Sequence, residues 1–114
     1  MYKYIILFLF CTYICKAQQV QQADSVVREA KFESTVSDNT VNFNVKTPPL
    51  IQISGAPKGY YTFFWEFGDG HFSEKENPEH TFKNKGDYEV KLWVTNNYDA
   101  GKTPTTRPQN VKIE

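Results

Sequence analysis

The stretch from residue 60 to residue 67 carries six aromatic side chains in eight residues, which narrows the choice of fold more than any other feature of the chain. Successive side chains of an extended strand point to opposite faces, so every second residue shares a face. The aromatic residues on the first face are Tyr61, Phe63, Trp65 and Phe67. Such a row of large rings needs a second layer to cover it, which predicts a layered β-protein.

A second stretch, from residue 88 to residue 94, has the matching pattern. Apolar side chains occupy every second position, at Tyr88, Val90, Leu92 and Val94. We expect both apolar rows to face one dry interior, with Trp65 and Leu92 inside. The alternate residues of the same two strands then point outwards.

Shorter segments with a two-residue period extend this pattern. Val41, Phe43 and Val45 alternate with polar residues, and Pro48 and Pro49 end the run. Further extended segments are predicted at residues 31–36, 51–53, 72, 82 and 111–113. Aromatic residues make up 16% of the chain and favour pleated surfaces. The predicted fold is an all-β sandwich of two sheets, with seven to eight short strands and no helix.

Three motifs follow one another in the second half of the chain. Residues 65–70 read WEFGDG, residues 77–82 read NPEHTF, and residues 86–96 read GDYEVKLWVTN. In this order and spacing they closely resemble the PKD domain (polycystic kidney disease repeat), an immunoglobulin-like sandwich, over residues 40–114. Glu66 and Phe82 are small departures from the family pattern. Trp93 is a larger one, since the family usually has a small polar residue there.

The resemblance implies structural roles for several of these residues. Trp65 is expected to be the central tryptophan of the sandwich, and the hydroxyl of Tyr88 to bond nearby backbone as a tyrosine corner. His80 is expected to be a framework residue that bonds a neighbouring loop. The predicted core residues are Trp65, Phe67, Tyr88 and Leu92, and the predicted turn and framework residues are Gly68, Asp69, Gly70 and His80.

The first 17 residues have the organisation of a secretory signal. Lys3 gives a basic start, residues 5–14 are an uncharged apolar run, and Ala17 is a small residue at the expected cleavage position. The run is too short to span a bilayer, and acylation of Cys11 or Cys15 is the alternative. We expect a signal peptide at residues 1–17, a polar lead-in at 18–29 and a PKD-like domain at 30–114. The mature chain is expected to lack cysteine and to reside in the periplasm, at the cell surface or in the medium.

Neither catalysis nor a cofactor is predicted. Asp69 between two glycines is a conceivable acid or calcium ligand, but a turn aspartate more often accepts backbone N–H groups of its own loop. The other acidic residues are too scattered to define a calcium site, and weak calcium binding stays open. His71 and His80 lack the cysteine partners of a structural zinc site, so no metal site is predicted. With 13 basic and 13 acidic residues, the chain lacks the charge of a nucleic-acid-binding protein.

The outward positions of the two central strands carry aromatic residues where polar ones are expected. Phe64 and Trp93 should lie side by side on the outer face of what immunoglobulin-like folds call the C–F–G sheet, with Tyr60 further along. An exposed aromatic pair can stack on a sugar or anchor a protein interface. Alternatively, an N-terminal segment containing Val26, Val27 or Phe32 folds over the pair.

We therefore expect a non-catalytic, extracytoplasmic module that makes protein–protein or protein–carbohydrate contacts through Trp93, Phe64 and Tyr60. The alternative is an accessory or spacer domain of a larger secreted hydrolase or surface adhesin, with catalysis elsewhere.

Overall fold

The computed structural model describes residues 27–114, which form seven β-strands. They are β1 (Lys31–Ser37), β2 (Thr40–Lys46), β3 (Tyr60–Glu66), β4 (Phe72–Ser73), β5 (Glu79–Thr81), β6 (Gly86–Asn97) and β7 (Gln109–Ile113). This range contains no helix, and therefore none that is long and apolar enough to cross a membrane. The all-β prediction is confirmed.

The strands form two antiparallel sheets with the core between them. The three-stranded sheet has the order β1-β2-β5, and the four-stranded sheet has the order β4-β3-β6-β7. Strands β3 and β6 pair along the whole of β3, with Phe64 opposite Trp93 and Trp65 opposite Leu92. This arrangement is the two-sheet sandwich predicted from the alternating rows.

Alternation decides which side chains fill the space between the sheets. Trp65 is completely buried, and its ring centroid lies 5.0 Å from that of Phe32 and 5.2 Å from that of Phe43. Its indole Nε1–H donates to the carbonyl of Lys75 at 2.8 Å, so burial leaves no polar atom of the ring unsatisfied. The other predicted interior residues that are buried are Phe67, Val90, Leu92 and Val94; those partly buried against the core are Tyr61, Phe63 and Tyr88.

Residues 51–53 do not form the strand that their alternation predicted. Ile51 and Ile53 are exposed, and the segment makes only an isolated bridge between Gln52 and Asp99. The side chain of Gln52 instead bonds backbone groups of the loop between residues 53 and 59. Local side-chain bonds of this kind offer the backbone an alternative to a sheet ladder, and here they hold a loop.

The chain joins the sandwich slightly before residue 30, where the domain was expected to begin. A parallel bridge links Glu29 to Thr105, and the guanidinium of Arg28 lies 2.6 Å from the carboxylate of Asp99. The other groups that accept hydrogen bonds from Arg28 are the carbonyls of Pro49 and Lys102 and the hydroxyl of Tyr61. One cation therefore holds the entering chain against two loops and the start of β3.

Asp99 is the anion at the centre of this contact, and its side chain is fully buried. Desolvation alone would raise the pKa of the carboxyl group. Four hydrogen bonds to the carboxylate outweigh desolvation and hold the pKa of Asp99 well below its ordinary value of 3.8. They come from the guanidinium of Arg28, the backbone N–H groups of Gly101 and Ile51, and the side-chain amide of Asn96. The folded state therefore favours the carboxylate form.

Replacing Trp65 with alanine is expected to lower the free energy of unfolding by about 3 to 5 kcal/mol, because the buried ring is lost and a cavity remains between the sheets. Urea denaturation followed by circular dichroism measures the change. Trp93→Ala, on the outer face, is the matched control and should lose less than about 1 kcal/mol. Similar losses in both variants would contradict the inward position of Trp65.

Acid is expected to destabilise the domain partly through Asp99. Because the pKa of Asp99 is lower in the folded than in the unfolded chain, its stabilising contribution is complete above about pH 4 and is lost as the pH falls further. Asp99→Asn should therefore lower stability near neutral pH and lose less on acidification than the wild type does. Urea titrations at several pH values measure this, with the exposed Asp87→Asn as control. An unchanged acid dependence in Asp99→Asn would contradict the assignment.

Candidate functional site

The outer face of the four-stranded sheet carries a group of exposed aromatic side chains. Phe64 and Trp93 lie opposite each other in the β3–β6 register, with ring centroids 5.9 Å apart and ring planes at 52°. Phe72 of β4 stacks on the other side of Phe64, with centroids 5.5 Å apart and planes at 27°. We call these three residues the aromatic shelf. Their exposed fractions are 40% for Phe64, 48% for Trp93 and 58% for Phe72.

Sequence reasoning anticipated Phe64 and Trp93 in this group but not Phe72. The turn after β3 reverses the chain so that Phe72 pairs with Glu66, which brings its ring beside that of Phe64. The glycines at positions 68 and 70 were the available signal, since they fix a tight hairpin at this point. Continuing the strand pairing through that hairpin puts Phe72 on the outer face of the sheet.

Tyr60 lies apart from the shelf, although it was predicted as a binding residue. It is four residues before Phe64 on β3, which is about 13 Å along an extended strand. Thr62 and its cross-strand partner Thr95 lie in between. The exposed ring of Tyr60 instead lies 6.3 Å from that of Tyr98, so the outer face carries aromatic groups at both ends of the β3–β6 pair and threonines in the middle.

An open groove of about 450 Å³ lies beside the shelf. It is lined by Tyr61, Thr62, Phe63, Phe64, Glu74, Trp93 and Thr95. Strand β4 pairs only with Trp65 and Glu66, so within residues 27–114 the first five residues of β3 have a neighbouring strand on one side alone. The backbone N–H of Phe67 donates to the carbonyl oxygen of His71, which lies on the β4 side of the strand. Since backbone direction alternates along a strand, Tyr61 and Phe63 present their N–H and C=O groups to this uncovered edge.

The described residues before β2 do not cover the shelf. Phe32, one of the expected covering residues, packs between the sheets against Trp65. Val27 is 74% exposed. Val26, the third residue expected in that role, lies outside the described residues.

The turn between β3 and β4 has the local hydrogen bonds expected of Asp69. Its carboxylate accepts the backbone N–H of His71 at 3.1 Å and the Nε2–H of His80 at 2.7 Å. Desolvation would raise the pKa of Asp69, but the bonds from His80 and His71 outweigh it and lower the pKa below its ordinary value. Asp69 thus links its own turn to β5 in the opposite sheet.

His80 is held between aromatic rings at the end of the core. Its imidazole stacks on Phe67 with centroids 4.2 Å apart and planes only 4° from parallel, while Phe82 meets it edge-on at 4.6 Å. Tyr88 packs on Phe82, and its hydroxyl donates to the carbonyl of Asn84 at 2.6 Å. The stacked rings orient His80. The hydrogen bond from Tyr88 to Asn84 has the form of a tyrosine corner and closes this end of the sandwich.

Comparison with known proteins places this geometry in a family. A family model described as "PKD domain" matches residues 18–113. The structure is similar to the PKD1 domain of the Vibrio cholerae metalloprotease PrtV, with a TM-score of 0.59 and 24% identity over 78% of this chain and 99% of that one. It is also similar to the PKD1 domain of Vibrio anguillarum Epp, with a TM-score of 0.54 and 26% identity over 78% and 98% of the two chains.

The two glycines of the turn are expected to differ sharply in their tolerance of a side chain. Both have left-handed backbone, with φ of 82° at Gly68 and 87° at Gly70, so alanine costs about 1 to 2 kcal/mol at either position. A Cβ at Gly68 would also lie 2.6 Å from the carbonyl oxygen of Glu89, whereas one at Gly70 meets nothing within 4 Å. Thermal unfolding of Gly68→Ala and Gly70→Ala measures the difference. Equal losses would contradict the close approach of β6 to Gly68.

Proposed function

Because the chain belongs to the PKD domain family, we propose that it is a non-catalytic recognition module that binds a protein or glycan partner outside the cytoplasm through the aromatic shelf. The observation that carries this proposal is the shelf itself. Three rings, with Phe64 in contact with both Phe72 and Trp93, expose apolar area on the outer face of a sheet where alternation normally places polar side chains.

Aromatic rings are well suited to such a role. They offer large contact area with few rotatable bonds, so little conformational entropy is lost when a partner binds. The contacts within the shelf restrain the rings further, because Phe64 lies between Phe72 and Trp93. A flat apolar surface of this kind fits the hydrophobic face of a sugar ring or an apolar side chain of a protein.

The groove beside the shelf adds polar contacts that give orientation. The hydroxyl groups of Thr62 and Thr95 and the carboxylate of Glu74 line it, close to the uncovered edge of β3. A partner that rests on the rings can therefore form hydrogen bonds with these side chains and with backbone groups of Tyr61 and Phe63 that no residue between 27 and 114 engages. Apolar contact at the centre with polar groups around it is the usual anatomy of a binding surface.

The extracytoplasmic location rests on the sequence of residues 1–17. A basic start, a short apolar run and a small residue at position 17 have the organisation of a secretory signal. The PKD family is consistent with a module that carries no catalysis of its own.

A second candidate is an accessory domain in a larger secreted hydrolase. The specific observation in its favour is the similarity to the PKD1 domain of a metalloprotease. In that case the shelf would contact a catalytic domain or its substrate. Sequencing the gene beyond the codon for Glu114 discriminates the two, since a hydrolase domain in the same reading frame selects the second candidate.

The proposal predicts that Trp93→Ala and Phe64→Ala each weaken binding of the partner about tenfold or more, which corresponds to about 1.4 kcal/mol, while the domain stays folded. Pull-down with chitin, cellulose and peptidoglycan, and with immobilised envelope proteins, identifies the partner, and calorimetry measures its affinity. Val36→Ala, an exposed apolar residue of β1 in the other sheet, is the matched control and should bind as the wild type does. Unchanged affinity in both shelf variants would contradict the proposal.

A further inference from the structure

Away from the shelf, the described residues bring together three side chains that commonly bind metals. They are Asp69 and His71 in the turn after β3 and His80 on β5, and each offers one ligand atom within 4.8 Å of the others. We propose that this cluster binds a divalent transition metal, with Zn²⁺ as the fitting ion. This inference departs from the sequence prediction, which found no metal site because the two histidines lack the cysteine partners of a structural zinc site.

The distances suit a small ion. Oδ2 of Asp69 lies 2.7 Å from Nε2 of His80, and Oδ1 of Asp69 lies 3.4 Å from Nδ1 of His71. The two imidazole centroids are 5.4 Å apart. Ligand atoms around a tetrahedral zinc ion, each about 2.0 to 2.2 Å from the metal, are about 3.3 Å from one another. The 3.4 Å spacing matches this value, whereas Asp69 and His80 have to separate from their 2.7 Å hydrogen bond to admit the ion.

Two of the three ligands are fixed in place by the fold. The ring of His80 is held by Phe67 on its face and Phe82 at its edge, and Asp69 is held by the backbone N–H of His71. Neither residue has to be ordered when the metal binds, which lowers the entropic cost of binding. On binding, Nε2 of a neutral His80 gives up its hydrogen bond to Asp69 and its ring takes the Nδ1–H tautomer, so that the lone pair on Nε2 faces the metal.

The donor set selects the class of metal. Two imidazole nitrogens with one carboxylate suit Zn²⁺, Cu²⁺ or Ni²⁺, whereas Ca²⁺ and Mg²⁺ prefer sets made wholly of oxygen atoms. His71, the third ligand, is 72% exposed, so the remaining coordination position faces solvent. An open position is a feature of zinc sites that take up water or a further ligand.

The test is calorimetric titration of ZnCl₂ into the tag-free full chain, with Cys11→Ser and Cys15→Ser in every sample so that no thiol competes. We expect one ion per chain and a dissociation constant in the micromolar range. CoCl₂ gives a second readout, since its visible absorption spectrum reports nitrogen and oxygen ligation. CaCl₂ should neither bind in this range nor displace the zinc.

His71→Ala is the decisive variant because it removes one ligand and leaves the Asp69–His80 contact in place. It should weaken zinc binding about tenfold or more without changing the unfolding temperature of the metal-free protein. Glu76→Gln, at an exposed acidic position between β4 and β5, is the control and should bind zinc normally. Absence of saturable binding, equal affinity in His71→Ala, or displacement by Ca²⁺ would each overturn the proposal. Because Trp93→Ala leaves the three ligands intact, failure of the shelf proposal would not affect this result.

Discussion

The fold depends on one contact, the insertion of Trp65 between the two sheets. The indole packs on Phe32 of β1 and Phe43 of β2, so the four-stranded sheet that carries it is joined to both long strands of the other. Many sandwiches of this class secure the same place with a disulfide bond next to the tryptophan. This chain has no cysteine after residue 15, so aromatic packing takes that role. A small sandwich without covalent links relies on close packing at its centre for most of its stability.

Local pattern in the sequence was enough to predict the centre of the core, because alternation separates inward from outward side chains along β3 and β6. Once Trp65 faces inwards, the two-residue period fixes the direction of Phe64 and, through pairing, of Trp93. Residues 51–53 were predicted to be a strand because apolar and polar residues alternate there. Hydrogen bonds from the side chain of Gln52 hold the segment as a loop instead, and a two-residue period does not reveal such bonds. Phe72 and His71 were missed for a different reason. The position of Phe72 is set by the hairpin register, which the two turn glycines signal, whereas His71 comes close to His80 of β5 only in the folded domain.

Strand β3 serves two purposes with alternate residues. Its odd positions fill the core, and its even positions form the outer surface, so the rings that we propose to meet a partner stand on the backbone that carries Trp65. The same holds for the turn that follows, where Asp69 ties the sheets together and His71 points to solvent. Recognition groups placed on strands and tight turns keep their positions better than groups on long loops. The structural framework and the proposed binding groups are therefore interleaved residue by residue, without a separate binding loop.

The half-covered edge of β3 also affects how the isolated domain behaves at high concentration. Unpaired main-chain groups at the border of a sheet can template the addition of another extended chain, and natural proteins commonly shield them with charges, proline or a covering segment. Here the border is flanked by aromatic residues, and Glu74 is the one charged side chain that lines the adjoining groove in the described part of the chain. Such an edge favours edge-to-edge pairing between copies of the domain. Fusion or crystallisation designs should therefore begin by shielding Tyr61 to Phe63.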